Sequence, residues 1–365
     1  MRTIEINLEA IAANYKILKS MSGAKVMAIV KADGFGHGMI EVARRLESIN
    51  VDMLATADLD EAEQIRAAGI KSPLMAWLHG KNTDFAEAIE NDIQIGLSTV
   101  QGLESVAAAA KKVSGCAGVH LKVDTGLGRN GAALADWPEV ITKAVELEAA
   151  GLVKLIGVFS HLSGTSEKDD AEQLEVFEEA IATAQGLGAN FEYRHLAASN
   201  ATLNYKKTQL DMVRVGLALY GLDPNAATSA ASFGLVPAMR VSSEVVSVKQ
   251  VPAGHGVSYG YLHKTLEPTT LALVPFGYAE GMPRIATGKA SVLLNGKRYP
   301  ILARIAMDQF VLDVGNDSVK VGDEVVIVGD AKKGEPTAEE LADAAGTINY
   351  EIVTRMGGRA KRVFR

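Results

Sequence analysis

Between residues 25 and about 215, short apolar runs alternate eight times with amphipathic stretches. The runs lie at 26–31, 53–56, 74–77, 94–97, 119–123, 155–160, 195–198 and 212–215. Short, nearly continuous apolar runs suit parallel strands covered on both faces. Helical patterns separate them at 39–49, 59–68, 99–112, 138–150 and 168–187, and Pro138 suits a first helical position. Eight such units predict a (β/α)8 TIM-type barrel. A doubly wound sheet is the alternative, but nothing in the chain marks a dinucleotide-binding half.

After residue 235 strand-like runs dominate, at 240–251, 270–275, 291–294, 309–314 and 324–328. Asn295-Gly296, between 291–294 and 297–301, is a hairpin signal. Val321-Gly322-Asp323 is a further turn, and one helix is expected near 337–345. The chain therefore divides into a barrel over 1–235 and a mainly β domain over 236–365. The first stretch, about 1–8, is open to pairing with the second domain. A net charge of −7 without a long basic run argues against a nucleic acid or an anionic membrane as main partner. One cysteine, Cys116, excludes an intramolecular disulfide, and seven scattered histidines offer no metal spacing. The N-terminus has no apolar signal-peptide core, and no run is long enough to span a bilayer, so a cytoplasmic protein is expected.

Barrels carry function at the C-terminal ends of their strands. Five of the eight runs bring polar groups there: Lys31; Lys122 with Asp124 and Arg129; His161; Ser199; and Arg214 before Gly216. Lys31 ends an apolar run and meets a glycine-rich turn. Such a lysine either snorkels to the surface or is a desolvated amine able to form a Schiff base. Arg214 can pair with a phosphate, a ring nitrogen or a buried carboxylate such as Asp211. Ser199 and the N–H groups of Gly216 and Leu217 can cradle an anion. His161 is either a packed structural histidine or part of the site. Gly126-x-Gly128-x-x-Gly131 matches a dinucleotide fingerprint in form only. The run before it is too polar for a buried first strand, and the next ends in Ser160-His161 rather than an acidic ribose partner.

The run Val30-Lys31-Ala32-Asp33-Gly34-Phe35-Gly36-His37-Gly38 resembles the lysine segment of alanine racemases, barrel-type enzymes that use pyridoxal 5'-phosphate. Six further segments resemble that family in order and over nearly the full length: 121–129, 212–221, 256–260, 276–281, 304–309 and 347–351. The resemblance implies roles residue by residue. Lys31 carries the cofactor and serves as base on one face, and Tyr259 serves as base on the other. Arg214 faces the pyridine nitrogen, and His161 links Tyr259 to Arg214. Ser199, Gly216, Leu217 and Tyr350 hold the phosphate. Arg129 and the Met307 N–H hold the substrate carboxylate, Lys122 is a candidate for carboxylation that orients Arg129, and Tyr278 lines the entrance. Phe35 departs from the family's usual tyrosine and cannot supply its hydroxyl to the phosphate.

The implied activity interconverts L- and D-alanine by two bases, supplying D-alanine for peptidoglycan. The implied assembly is a head-to-tail homodimer in which Tyr259 and Met307 reach the other subunit's site. No metal is called for. Competing readings are a racemase of serine, lysine or several amino acids, a non-catalytic carrier of the cofactor, and a decarboxylase of related architecture. The β domain with Tyr259 and Met307 argues against the last two.

Overall fold

The computed structural model describes residues 1–225 and 227–365. They form two compact units, one of residues 12–34 and 39–219, the other of residues 1–11, 35–38 and 220–365. The first strand of the chain, β1 (Thr3–Ile6), belongs to the second unit.

The first unit is a closed parallel barrel. Its strands are β2 (Lys25–Ile29), β3 (Met53–Thr56), β4 (Leu74–Ala76), β5 (Ile93–Leu97), β6 (Ala117–Lys122), β7 (Val153–Phe159), β8 (Tyr193–His195) and β9 (Met212–Val215). β9 closes onto β2 in parallel register, Met27 opposite Arg214. The strands bury almost every residue, as both-face coverage demands. Helices follow the strands at Met39–Glu47, Leu59–Ala67, Val100–Val113, Trp137–Ala149 and Glu167–Gly186. Asp58, Thr99 and Ser166 cap three of them, each accepting a first-turn N–H. Trp137, fully buried, ties two helices together by donating to the Ala180 carbonyl at 2.9 Å.

Two expectations shift. The seventh run, expected at 195–198, is β8 at Tyr193–His195, so the apolar Leu196-Ala197 lies beyond the strand rather than in it. Lys31 does not end a strand: β2 stops at Ile29. A helix at Leu8–Ser22, absent from the sequence reading, precedes the barrel strands.

The second unit is built on β strands. β10 (Met239–Glu244), β15 (Ser291–Leu294), β16 (Lys297–Pro300), β18 (Glu324–Val328) and β19 (Lys361–Phe364) join β1 in a six-stranded sheet ordered β16-β15-β18-β10-β1-β19. β11 (Ser247–Val251), β14 (Thr269–Val274) and β17 (Phe310–Gly315) form a three-stranded sheet. β12 (Gly256–Val257) pairs with β13 (His263–Lys264) as a small ribbon. The expected single run at 240–251 is two strands in different sheets. The switch falls between neighbours: the Val245 N–H donates to the Asp323 carbonyl and the Val246 N–H to the Leu273 carbonyl. Asn295 (φ 49°) and Gly296 (φ 79°) make the two-residue turn between β15 and β16, both in the left-handed region a primed turn requires.

Candidate active site

Lys31 begins a left-handed turn. Ala32, Asp33 and Gly34 follow at φ 52°, 52° and 63° with ψ between 42° and 53°. Left-handed non-glycine residues cost about 1–2 kcal/mol each, and such strain persists only where its surroundings hold it. The Asp33 carboxylate accepts from the Met39 N–H at 2.8 Å, and the Gly34 N–H donates to the Val30 carbonyl at 2.8 Å. The turn presents Lys31 beyond the C-terminal end of β2, its Nζ 5.7 Å from the Trp77 ring centre. Burial, then the positive charge of Arg129, lowers the Lys31 pKa, which favours the neutral amine.

Arg214, on β9, is held on nearly every side. Its Nη1 donates to His195 Nδ1 (3.2 Å) and the His195 carbonyl (2.7 Å). Its Nη2 donates to the carbonyls of Ser160 (2.7 Å) and Leu196 (3.1 Å) and to His161 Nδ1 (3.1 Å). Among the described residues its Nε has no protein acceptor. Burial, then Arg129, pushes its pKa down to about 9, which leaves a cation at neutral pH. The open alternative of pairing with Asp211 fails, because Asp211 holds Arg194 by two bonds of 2.7 and 3.0 Å. His161, just past β7, accepts at Nδ1 and so carries its proton on Nε2. Burial and the neighbouring cations push its pKa down to about 3.

Lys122 is the last residue of β6, and the chain then loops back on it. The Ala132 N–H donates to the Lys122 carbonyl, and the Asp124 N–H to the Ala132 carbonyl. Gly131 (φ 137°) permits this close return, since a Cβ there would lie 2.5 Å from the Asp124 nitrogen. The N–H groups of Gly126 and Gly128 both donate to the Asp124 carboxylate. The amides of the would-be dinucleotide fingerprint are therefore occupied by a carboxylate of the same loop. The loop carries Arg129, exposed. Lys122 is buried 5.5 Å over the Phe159 ring, and burial with Arg214 and Arg129 pushes its pKa down to about 8.

Ser199, past β8, accepts from the N–H groups of Gly216 (3.1 Å) and Ala218 (3.2 Å), with Leu217 between them. Its lone pairs are thus used, and its O–H remains to donate. Lys31, Lys122, Arg129 and Arg214 thus gather at the strand C-termini, and among the described residues none has a carboxylate within 4.0 Å.

The second unit carries the remaining residues. Tyr259 sits at the tip between β12 and β13, 71% exposed. Ser258 before it adopts φ 58°, ψ −172°, nearly glycine-only backbone, and its Oγ donates to the Arg304 carbonyl at 2.7 Å. Met307 and Tyr278 are exposed, and the Met307 carbonyl accepts from the Ala279 N–H. Tyr350 is half-buried, its ring centre 6.0 Å from that of Phe35, which also packs on Tyr220 at 5.1 Å. Gly36 (φ 79°) packs where a Cβ would lie 2.3 Å from the Val353 carbonyl oxygen, docking residues 35–38 on the helix Asn349–Arg355.

A closed parallel barrel with a lysine amine and three further basic side chains at its mouth, none with a carboxylate within 4.0 Å among the described residues, defines a barrel enzyme. Comparison with known proteins narrows the class. The alanine racemase N-terminal domain matches residues 6–224 and the C-terminal domain residues 238–364. The chain belongs to the alanine racemase family. It is 46% identical to an alanine racemase of Frankia casuarinae over 362 residues, covering 98% of this chain and 94% of that one. The crystal structure of alanine racemase from D-cycloserine-producing Streptomyces lavendulae superimposes with a TM-score of 0.97 at 45% identity, covering 100% of this chain and 97% of that one. The alanine racemase of Bacillus anthracis with bound L-Ala-P superimposes at 0.89 with 30% identity, covering 100% and 95%.

Sequence reading passed over His195. A histidine inside a barrel strand needs a partner to be buried, which is the signal that was available.

Proposed function

We propose that this protein racemises alanine with pyridoxal 5'-phosphate as cofactor, supplying D-alanine for peptidoglycan from the cytoplasm. The observation that carries this is the unbalanced positive charge at the barrel mouth. A lysine amine and the side chains of Lys122, Arg129 and Arg214, with no carboxylate within 4.0 Å among the described residues, suit a phosphate together with a substrate carboxylate. The donor set fits the cofactor: an amine on Lys31 to bind its aldehyde, the Ser199 O–H and the Leu217 N–H for its phosphate together with the Gly216 N–H, which in this structure donates to Ser199 Oγ, and the Arg214 Nε–H for its ring nitrogen. Tyr350 is the further phosphate partner, with Phe35 unable to help. When bound, the cofactor delocalises the electron pair left at the α-carbon.

The chain's own groups then move the protons. Lys31 Nζ takes or returns the α-proton on one face, and burial, which lowers its pKa, favours that role. Tyr259 Oη does so on the other, with His161 between it and Arg214. Lys31 exchanges with the D-enantiomer and Tyr259 with the L-enantiomer. Arg214 would hold the ring nitrogen through its Nε–H as a hydrogen-bond donor that keeps its proton. Arg129 and the Met307 N–H hold the substrate carboxylate, and Tyr278 lines the entrance. Lys122, partly neutral near its pKa of about 8, can take up CO2 and become an anion beside Arg129. In a head-to-tail dimer Tyr259 and Met307 complete the other subunit's site, which the exposure of both supports.

The test is incubation of the cofactor-loaded protein with L-alanine in D2O, with chiral separation and mass analysis. D-alanine carrying an α-deuteron is expected. Deuterium in L-alanine without D-alanine would remove one of the two bases. No exchange on alanine, but exchange on serine or lysine, would replace the substrate.

A further inference from the structure

Gln94, His120 and His195 stand on three neighbouring regions of the barrel wall, on β5, β6 and β8. Gln94 Oε1 lies 2.7 Å from His120 Nε2, and His120 Nδ1 lies 2.9 Å from His195 Nε2. His195 Nδ1 in turn meets Arg214 Nη1 at 3.2 Å. Both imidazoles are fully buried.

The direction of this chain follows from Arg214, which has donors only. His195 Nδ1 must accept, so its proton lies on Nε2 and is donated to His120 Nδ1. The His120 proton then lies on Nε2 and needs an acceptor, which among the described residues only the amide oxygen of Gln94 supplies. The reverse direction would set His195 Nδ1–H against an arginine N–H. An added proton on His195 repeats that collision, and one on His120 sets its Nδ1–H against the His195 Nε2–H. Burial and Arg214 in fact push the His120 pKa down to about 3, and burial lowers that of His195 well below its ordinary value.

The seat of His120 is also built. The β6–β7 register shifts after Val119, which pairs with Leu155, so that His120 lies opposite Gly157 rather than Ile156. A Cβ on Gly157 would lie 2.3 Å from His120 Nδ1.

We propose that Gln94 is a positioning residue for the reaction: it terminates a one-way hydrogen-bond chain through His120 and His195 that holds the Arg214 guanidinium in place, with its Nε–H left for the site. This rests on the reading of Arg214 as the cation at the reaction centre.

The test uses cofactor-loaded protein labelled with 15N-histidine and reads the ring nitrogens by NMR, alongside alanine kinetics. In the native protein, His120 and His195 should each show a bare Nδ1 and a protonated Nε2. Gln94→Met keeps the shape and removes the acceptor. Gly157→Ala leaves ordinary strand backbone and displaces the His120 ring. Each should mix the tautomers of His195 and lower kcat about tenfold, the worth of one buried hydrogen bond, with KM changed less. Two results would overturn the proposal: a native His195 protonated on Nδ1, or either folded variant keeping the native nitrogen pattern with kcat within about twofold. Should one variant fail to fold, the other and the native spectrum still decide. The nitrogen pattern is independent of turnover, so a protein inactive on alanine with the predicted tautomers would fault the racemase reading and not the chain.

Discussion

At the scale of single residues, Arg214 shows how burial and function are joined. Its Nη hydrogens meet five acceptors on three residues after β7 and β8 and on His195 itself. Lysine in its place offers one point charge and no fork. Arg214→Lys should therefore lower kcat more than about a hundredfold and destabilise the fold by about 3 kcal/mol, since buried carbonyls and imidazole nitrogens lose donors. Turnover and the urea midpoint measure the two effects. The histidines around it give a pH dependence of definite sign. His120 and His161 have pKa values pushed down to about 3, against about 6.5 when unfolded, and that of His195 is lowered too. Between about pH 6.5 and pH 3 the unfolded chain binds more protons at these sites, so stability rises with pH and is lost on acidification. Native rings that stay neutral by 15N shifts at pH 5, with a urea midpoint falling from pH 7 to pH 5, are expected; rings that protonate at pH 6 without unfolding would contradict this. Lys31 was legible as an amine at a strand mouth. Its left-handed turn was not, because Ala32 and Asp33 carry no mark of positive φ.

At the scale of elements, the barrel was readable because parallel strands buried on both faces write continuous apolar runs. Where a strand carries polar side chains the reading slipped. β8, Tyr193-Arg194-His195, is polar in composition and hides its place, while the apolar residues after it mimic a strand. The run at 240–251 read as one strand because a switch of sheets between Val245 and Val246 leaves no trace in hydrophobicity. Gln94, His120 and His195 each look like an isolated polar residue in the sequence, and only barrel closure brings them together. The loop after β6 offers a test of what its glycines do. Gly128 (φ 70°) has open space around its missing Cβ, whereas Gly131 would place one 2.5 Å from the Asp124 nitrogen. Gly128→Ala should cost only about 1 kcal/mol of backbone strain. Gly131→Ala should detach the loop from β6 and raise KM for alanine about tenfold or more through Arg129, with the cofactor still bound. Equal KM values in the two variants, with cofactor followed by absorbance, would show that the return of the loop does not position Arg129.

At the scale of the whole molecule, the second unit exposes several large apolar side chains, three of them at the tip of the β12–β13 hairpin. Tyr259, Tyr261 and Leu262 are 71%, 63% and 58% exposed, Leu266 95% and Met307 53%. Clustered exposed apolar side chains mark a surface that another molecule covers. A second copy of this chain in head-to-tail arrangement is the occupant the family resemblance implies, and with it come shared sites. The arithmetic of sharing is testable because Lys31 and Tyr259 then act from different subunits. A heterodimer of Lys31→Ala and Tyr259→Phe chains would hold one site with both defects and one with neither. Random exchange makes half the dimers mixed, so about a quarter of all sites should regain native turnover. Each parent alone should lack exchange differently: Lys31→Ala on the D-alanine side, Tyr259→Phe on the L-alanine side. α-Proton exchange in D2O before and after subunit exchange reads both effects. If Tyr259 instead served its own subunit's site, every site in the mixed dimer would carry one defect, and mixing would restore nothing.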